Sequence, residues 1–181
     1  MRKIFFVAMI FCLFAAGAHA QEQKEVKNTE MPEQDSLAPY QKYPKLPAFN
    51  IRMMDSVSIF NTYNIPEGDP IAIFFFSPDC GHCQRTTRRL IDSMEMLKDI
   101  RFYMITPVHS MTELRNFYAE YNMDKYENIK LVGRDYGFFF GSYYRIKFVP
   151  DLVLYDGHKK LIKLIQGETS AKEVYETLHS K

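Results

Sequence analysis

Apolar and polar positions along this chain follow two different periods, and the switches between them outline the elements. "LPAFNIRMMDSVSIFNTYNI" (46–65) holds two short alternating runs broken by polar residues at Asp55 and Ser56, the pattern of a β-hairpin. "PIAIFFFS" (70–77) is continuously apolar and β-forming with no helical period, as expected of a strand covered on both faces. From Cys80 onward the period becomes helical. Leu90, Met94 and Leu97 fall at i, i+4 and i+7, with Arg88, Arg89, Asp92 and Glu95 between them, which predicts an amphipathic helix starting at the cysteines and running through Leu97.

"IRFYMITPV" (100–108) predicts a second buried strand. Residues 111–123 predict a helix with Leu114, Phe117, Tyr118 and Tyr121 on one face and Thr112 as cap. A short strand (128–132) and a short aromatic helix within 135–145 follow. A strand then opens at Pro150 and ends at an Asp156-Gly157 turn, with a hairpin partner over 159–167. The last element is a helix capped by Ser170, with Val174 and Leu178 turned inward. The order hairpin, β, α, β, α, β, α, β, β, α predicts an α/β fold with a central mixed sheet flanked by helices.

The first residues, "MRKIFFVAMIFCLFAAGAHA", have the make-up of a signal peptide (1–20): Arg2 and Lys3, an apolar run from Ile4 to Ala16, and Ala18-His19-Ala20 as cleavage signature. The apolar run is shorter than the roughly 20 residues of a membrane span, and Phe11 before Cys12 argues against a lipoprotein. The expectation is export to a bacterial periplasm, with no membrane span after cleavage. Residues 21–46, rich in Gln, Glu, Lys and Pro, read as a flexible linker, and the domain is expected over 47–181. Of the 181 residues, 46% are hydrophobic and 25% charged, enough for one packed domain. The net charge of +1 comes with no basic stripe, which argues against a nucleic-acid partner.

Export changes the cysteine count. Cys12 leaves with the signal, and Cys80 and Cys83 remain, in "FFFSPDCGHCQRTT". A disulfide between them would close a tiny loop and constrain the unfolded chain little. Zinc asks for four ligands, and His109, His158 and His179 have no ligand spacing to one another. Haem attachment asks for a histidine where Gln84 stands. Dithiol chemistry fits best, with no metal and no cofactor. Cys80 lies at the positive end of a helix, where a thiolate is favoured, and Cys83 one turn further in. Cys80 is then the catalytic nucleophile and Cys83 the resolving thiol.

With the strand, Cys80-Gly81-His82-Cys83, the helix and a later Val149-Pro150 opening a strand, the chain resembles the thioredoxin superfamily. The N-terminal hairpin and the extra strand and helix between Cys83 and Pro150 resemble its exported TlpA/ResA-like members. The resemblance implies a thioredoxin-like fold in which Pro150 is cis and lies against the dithiol, while the backbone of Val149 pairs with the substrate chain. It also implies protein disulfide or thiol substrates, and a membrane thiol carrier as electron donor to a reductase. Peroxiredoxins share the insertion, but their proline position is Ile73 here.

The departures from the family pattern bear on the chemistry. Asp79 replaces the usual Trp before the first cysteine, and the chain has no Trp. The positions of the family's proton-shuttling acids fall at Phe74 and Thr86, leaving Asp79 or water for that task. Gly81-His82 is the dipeptide of protein disulfide isomerase. A protonated His82 beside Cys80 would stabilise the thiolate and raise the reduction potential, towards a disulfide oxidase or isomerase and away from a reductase. Arg85 would add positive potential, and Arg88 and Arg89 read as an exposed helix face. A module binding copper or zinc through the cysteines and a histidine, without turnover, is the rival of another class. Phe74–Phe76 and Phe138–Phe140 read as core, with Tyr143 and Tyr144 as alternative lining of a substrate groove.

Overall fold

The computed structural model describes residues 37–108 and 110–180, and in it seven strands join in one mixed sheet. They are β1 (Asn50–Met53), β2 (Ile59–Asn61), β3 (Ile71–Phe75), β4 (Arg101–Thr106), β5 (Ile129–Arg134), β6 (Asp151–Tyr155) and β7 (Leu161–Gln166). Side by side they run β2-β1-β5-β4-β3-β6-β7. The central β5, β4 and β3 are parallel to one another, and the pairings that add the hairpins on either side are antiparallel. The helices are α1 (Pro39–Lys42), α2 (Gly81–Ile91), α3 (Met111–Glu120), α4 (Phe139–Tyr143) and α5 (Ala171–His179).

The continuous apolar run of β3 has the expected cause: all five of its residues are buried. Period-2 alternation sends Ala72, Phe74 and the following Phe76 to one face, where they meet Leu90 of α2, Leu114 and Phe117 of α3 and Val174 of α5. Ile71, Ile73 and Phe75 go to the other, packing with Phe49, Phe140 of α4 and Tyr144. Helices on both faces leave no room for a polar residue in this strand, so its C-terminal end is held rigidly where α2 begins.

Several expectations are corrected. The helix from the cysteines ends at Ile91, and Met94–Leu97 form a separate 3-10 turn. Met94 and Leu97 remain buried through the break, so the apolar period hides it. The cap of α3 is Ser110, whose hydroxyl accepts from the Glu113 N–H at 3.2 Å; Thr112 lies inside the helix. The Asp156-Gly157 turn is longer than a two-residue hairpin: Lys159 N–H donates to Asp156 O at 3.0 Å, and Lys159 itself takes φ 59°. Gly157 serves a close approach instead, since a Cβ there would lie 1.9 Å from the carbonyl oxygen of Gly68.

Phe138 is exposed at the left-handed start of α4, although Phe140 beside it is core. Tyr144 is buried and hydrogen-bonded to the Tyr155 hydroxyl, which makes it core and not groove lining. Of the segment expected as a flexible linker, residues 37–46 pack on the domain. The Tyr40 ring sits 5.7 Å from that of Tyr144, and Leu46 N–H donates to Lys159 O at 2.9 Å. A few apolar anchors fix a stretch whose average composition is polar. The signal-peptide expectation (1–20) and the rest of the linker (21–36) lie outside the described residues.

Candidate active site

β3 ends at Phe75, and the chain turns through Ser77-Pro78-Asp79 into α2. Two bonds close that turn: Cys80 N–H donates to Ser77 O at 3.2 Å, and the Gln84 side-chain amide donates to Pro78 O at 2.8 Å. Cys80 stands at the N-cap of α2 with extended backbone, and its carbonyl accepts the first helical bond, from Gln84 N–H. Its side chain caps nothing in the helix. The half-buried thiol points across the sheet end and donates to the carbonyl oxygen of Val149 at 3.6 Å.

Cys83 is fully buried, in the cluster formed by Phe74, Phe76 and Leu152. Its sulfur accepts from the Ser77 N–H at 3.4 Å. Burial pushes the Cys83 thiol far above the usual thiol range; the Ser77 bond offsets part of this, while neighbouring Cys80 and the charge of Asp79 add to it. Both cysteines are free thiols. The pair is therefore unequal: one sulfur is reachable at a helix N-terminus, and the other is held neutral one turn inside.

The Val149-Pro150 peptide is cis. Pro150 is buried with its carbonyl bonded to Gly167 N–H at 2.8 Å, so Val149 presents its carbonyl to Cys80 from a fixed ledge. Asp79 is exposed and accepts a hydrogen bond from the Ser77 hydroxyl, whose residue also donates its backbone N–H to Cys83. Phe74 of β3 and Thr86 of α2 are fully buried and offer no carboxylate. Cys80, Gly81, His82, Cys83, Val149 and Pro150 thus come together at one sheet end, with Asp79 on the solvent side.

Two acids at this end were not singled out from the sequence. Glu168, just after β7, reaches α2: its Oε1 lies 2.5 Å from His82 Nδ1 and 2.6 Å from Arg85 Nη2, and its Oε2 is 2.9 Å from Arg89 Nη1. The Arg85 and His82 contacts hold its carboxyl at about 2, well below the usual range. Arg89, expected on an exposed face, therefore has a partner. Asp151, next to Pro150, is 2% exposed. Its Oδ1 accepts from Gly167 N–H at 3.0 Å, and Oδ2 has no partner among the described residues. Burial pushes its carboxyl up to about 6. Neither acid lies in a motif. Asp151 is brought in by pairing of β6 with β3 and Glu168 by pairing of β7 with β6, each many residues from the cysteines in sequence.

Among the described residues no group of three or more His, Cys, Asp or Glu side chains is placed to hold a metal ion. His158 faces Glu67 at 3.7 Å and His179 faces Asp99 at 2.7 Å, both away from the cysteines in ion pairs of their own. His109 lies outside the described residues.

A strand, a cysteine pair opening a helix, and a cis-proline ledge facing the first cysteine define a thioredoxin-like protein. The chain matches the family of the thioredoxin-like domain over residues 63–180 and belongs to it. A secreted disulfide oxidoreductase of Mycobacterium tuberculosis, homologous to E. coli DsbE, superposes with TM-score 0.59 at 16% identity, over 71% of this chain and 92% of that one. The exposed lipoprotein thioredoxin of Streptococcus pneumoniae gives 0.60 at 16% identity, over 75% and 100%. The thioredoxin domain of a thiol-disulfide oxidoreductase from Bacteroides vulgatus gives 0.57 at 15%, over 74% and 91%. At such identities the likeness is one of fold. A comparison with curated protein sequences finds no match. Among the described residues no helix is long and apolar enough to cross a membrane.

Proposed function

We propose that this protein is an exported thiol-disulfide oxidoreductase that reduces disulfides in polypeptide substrates through Cys80 and Cys83. The Cys80 thiolate attacks one sulfur of the substrate disulfide, forming a mixed disulfide and releasing the other sulfur as a thiolate that takes up a proton. Cys83 then gives up its proton to solvent and attacks Cys80 Sγ. The second substrate thiol leaves, and the enzyme holds the Cys80–Cys83 disulfide. Two electrons have passed from dithiol to substrate, and a membrane thiol carrier returns them.

The observation that carries this reading is the inequality of the two sulfurs: Cys80 half-buried against Val149, Cys83 fully enclosed. Burial keeps Cys83 a neutral thiol until the mixed disulfide forms beside it. Val149 offers the backbone carbonyl, and Pro150 the ledge, for an extended substrate segment. The secreted or exposed similar proteins and the composition of residues 1–20 support export to a periplasm, with the redox domain taking in residues 37–46 that pack on it.

The test is turnover of insulin disulfides with a small-molecule dithiol as reductant. Wild type turns over, and Cys80→Ala and Cys83→Ala each lose activity by orders of magnitude. A protein with no turnover and with stoichiometric copper or zinc after reducing purification contradicts the reading in favour of a metal-binding module. Against glutathione, a potential near roughly −270 mV fits a reductase, and one near roughly −120 to −180 mV an oxidase or isomerase.

A further inference from the structure

His82 lies between the two cysteines in sequence, and its ring is engaged by an acid that follows β7. Its ring meets Glu168 and Arg85: Nδ1 is 2.5 Å from Glu168 Oε1 and 2.6 Å from Arg85 Nη2. A single ring nitrogen meets both groups, so protonated it donates to Glu168, and unprotonated it accepts from Arg85. In either state the imidazole has a partner other than the cysteines.

The same carboxylate takes the guanidinium that lies over the dithiol turn. Arg85 Nη1 sits 3.6 Å from where a Cβ on Gly81 would stand, which places this cation above the residue between Cys80 and His82. Arg85 donates twice to Glu168 Oε1, at 3.1 and 2.6 Å, and Arg89 one turn later binds Oε2. The side chain of Glu168 is only 23% exposed, against half or more for each of its three partners. The carboxylate is the hub of the cluster. Its backbone is fixed as well: Gly167, at φ 84°, is tied to Pro150 and Asp151, and Thr169 is buried.

We propose that Glu168 is a positioning residue that sets the reduction potential of the Cys80–Cys83 couple, by holding His82 and neutralising Arg85 beside the Cys80 thiolate. This rests on the reading of that pair as the redox couple. A cation next to Cys80 stabilises the thiolate, and with it the reduced form. Glu168 cancels Arg85 and withholds His82, so it moves the couple in the reductase direction. The acid thus counters the Gly81-His82 dipeptide, whose isolated tendency is the opposite one.

The experiment is equilibration of wild type, Glu168→Gln, His82→Ala and the double variant in glutathione buffers at pH 7, with the disulfide fraction read by alkylation and intact mass. Glu168→Gln shifts the equilibrium towards the dithiol by about tenfold, equivalent to about 30 mV for this two-electron couple. His82→Ala alone shifts it less than about twofold, and in the Glu168→Gln background it removes part of the shift. The proposal is overturned if Glu168→Gln leaves the constant unchanged or lowers it, or if His82→Ala acts equally in both backgrounds. A wild type that forms no Cys80–Cys83 disulfide in any buffer overturns the functional reading itself, and that is seen before any variant is compared.

Discussion

The thiol of Cys80 donates to the carbonyl oxygen of Val149 at 3.6 Å, across 69 residues of sequence. That contact joins the start of α2 to the start of β6. It puts a helix N-terminus and a backbone acceptor beside one sulfur, while Cys83 is enclosed in the core.

Alkylation of the native, reduced protein should therefore stop at one label. Iodoacetamide at pH 7.5 modifies Cys80, and Cys83 reacts only after denaturant opens the cluster around Phe76 and Leu152. Burial keeps Cys83 in the unreactive protonated form. Peptide mapping after a timed quench checks this, and equal labelling of both cysteines in the native protein contradicts it.

Asp151 gives a pH dependence of stability with a definite sign. Its carboxyl rises from an ordinary 3.8 to about 6 on folding, so between these values the native state binds the proton more tightly than the unfolded chain. Stability from this group is fully present below about pH 4 and is lost as pH rises through 6. Asp151→Asn should stabilise the protein by about 2 kcal/mol at pH 7.5 and change it little at pH 4. Urea unfolding at the two pH values measures the difference. A variant equally displaced at both, or destabilised more at the higher pH, contradicts the assignment.

How much of this was legible in the sequence follows from the range of the forces involved. β3 could be read because burial on both faces forces an unbroken apolar run, and the Cys80–Cys83 helix because its inner face repeats every turn. The end of that helix was not legible, since Met94 and Leu97 stay buried whether the turn is α or 3-10. Ser110 and Thr112 are both competent caps, and only the backbone decides between them. Gly157 reads as turn chemistry, but it is required by Gly68, 89 positions earlier on a separate loop. Residues 37–46 average out as polar, although Tyr40 and Leu46 suffice to pin them.

The dithiol, the ledge and the resemblance that tied them together were legible because they are local motifs. Glu168 was not, because its meaning lies in a contact with His82, 86 positions away. Read alone, Gly81-His82 points to an oxidant. In the fold the imidazole is engaged by Glu168, an acid from the β7–α5 connection.

The most direct measurement is trapping of the mixed disulfide. Reduced Cys83→Ala, mixed with an excess of a peptide disulfide and quenched with acid, should give one covalent adduct, mapped to Cys80, that is released by dithiothreitol. Cys80→Ala under the same conditions should give none, because its remaining thiol is enclosed. An adduct on Cys83 in Cys80→Ala, or no adduct in Cys83→Ala, would contradict the division of roles between the two sulfurs.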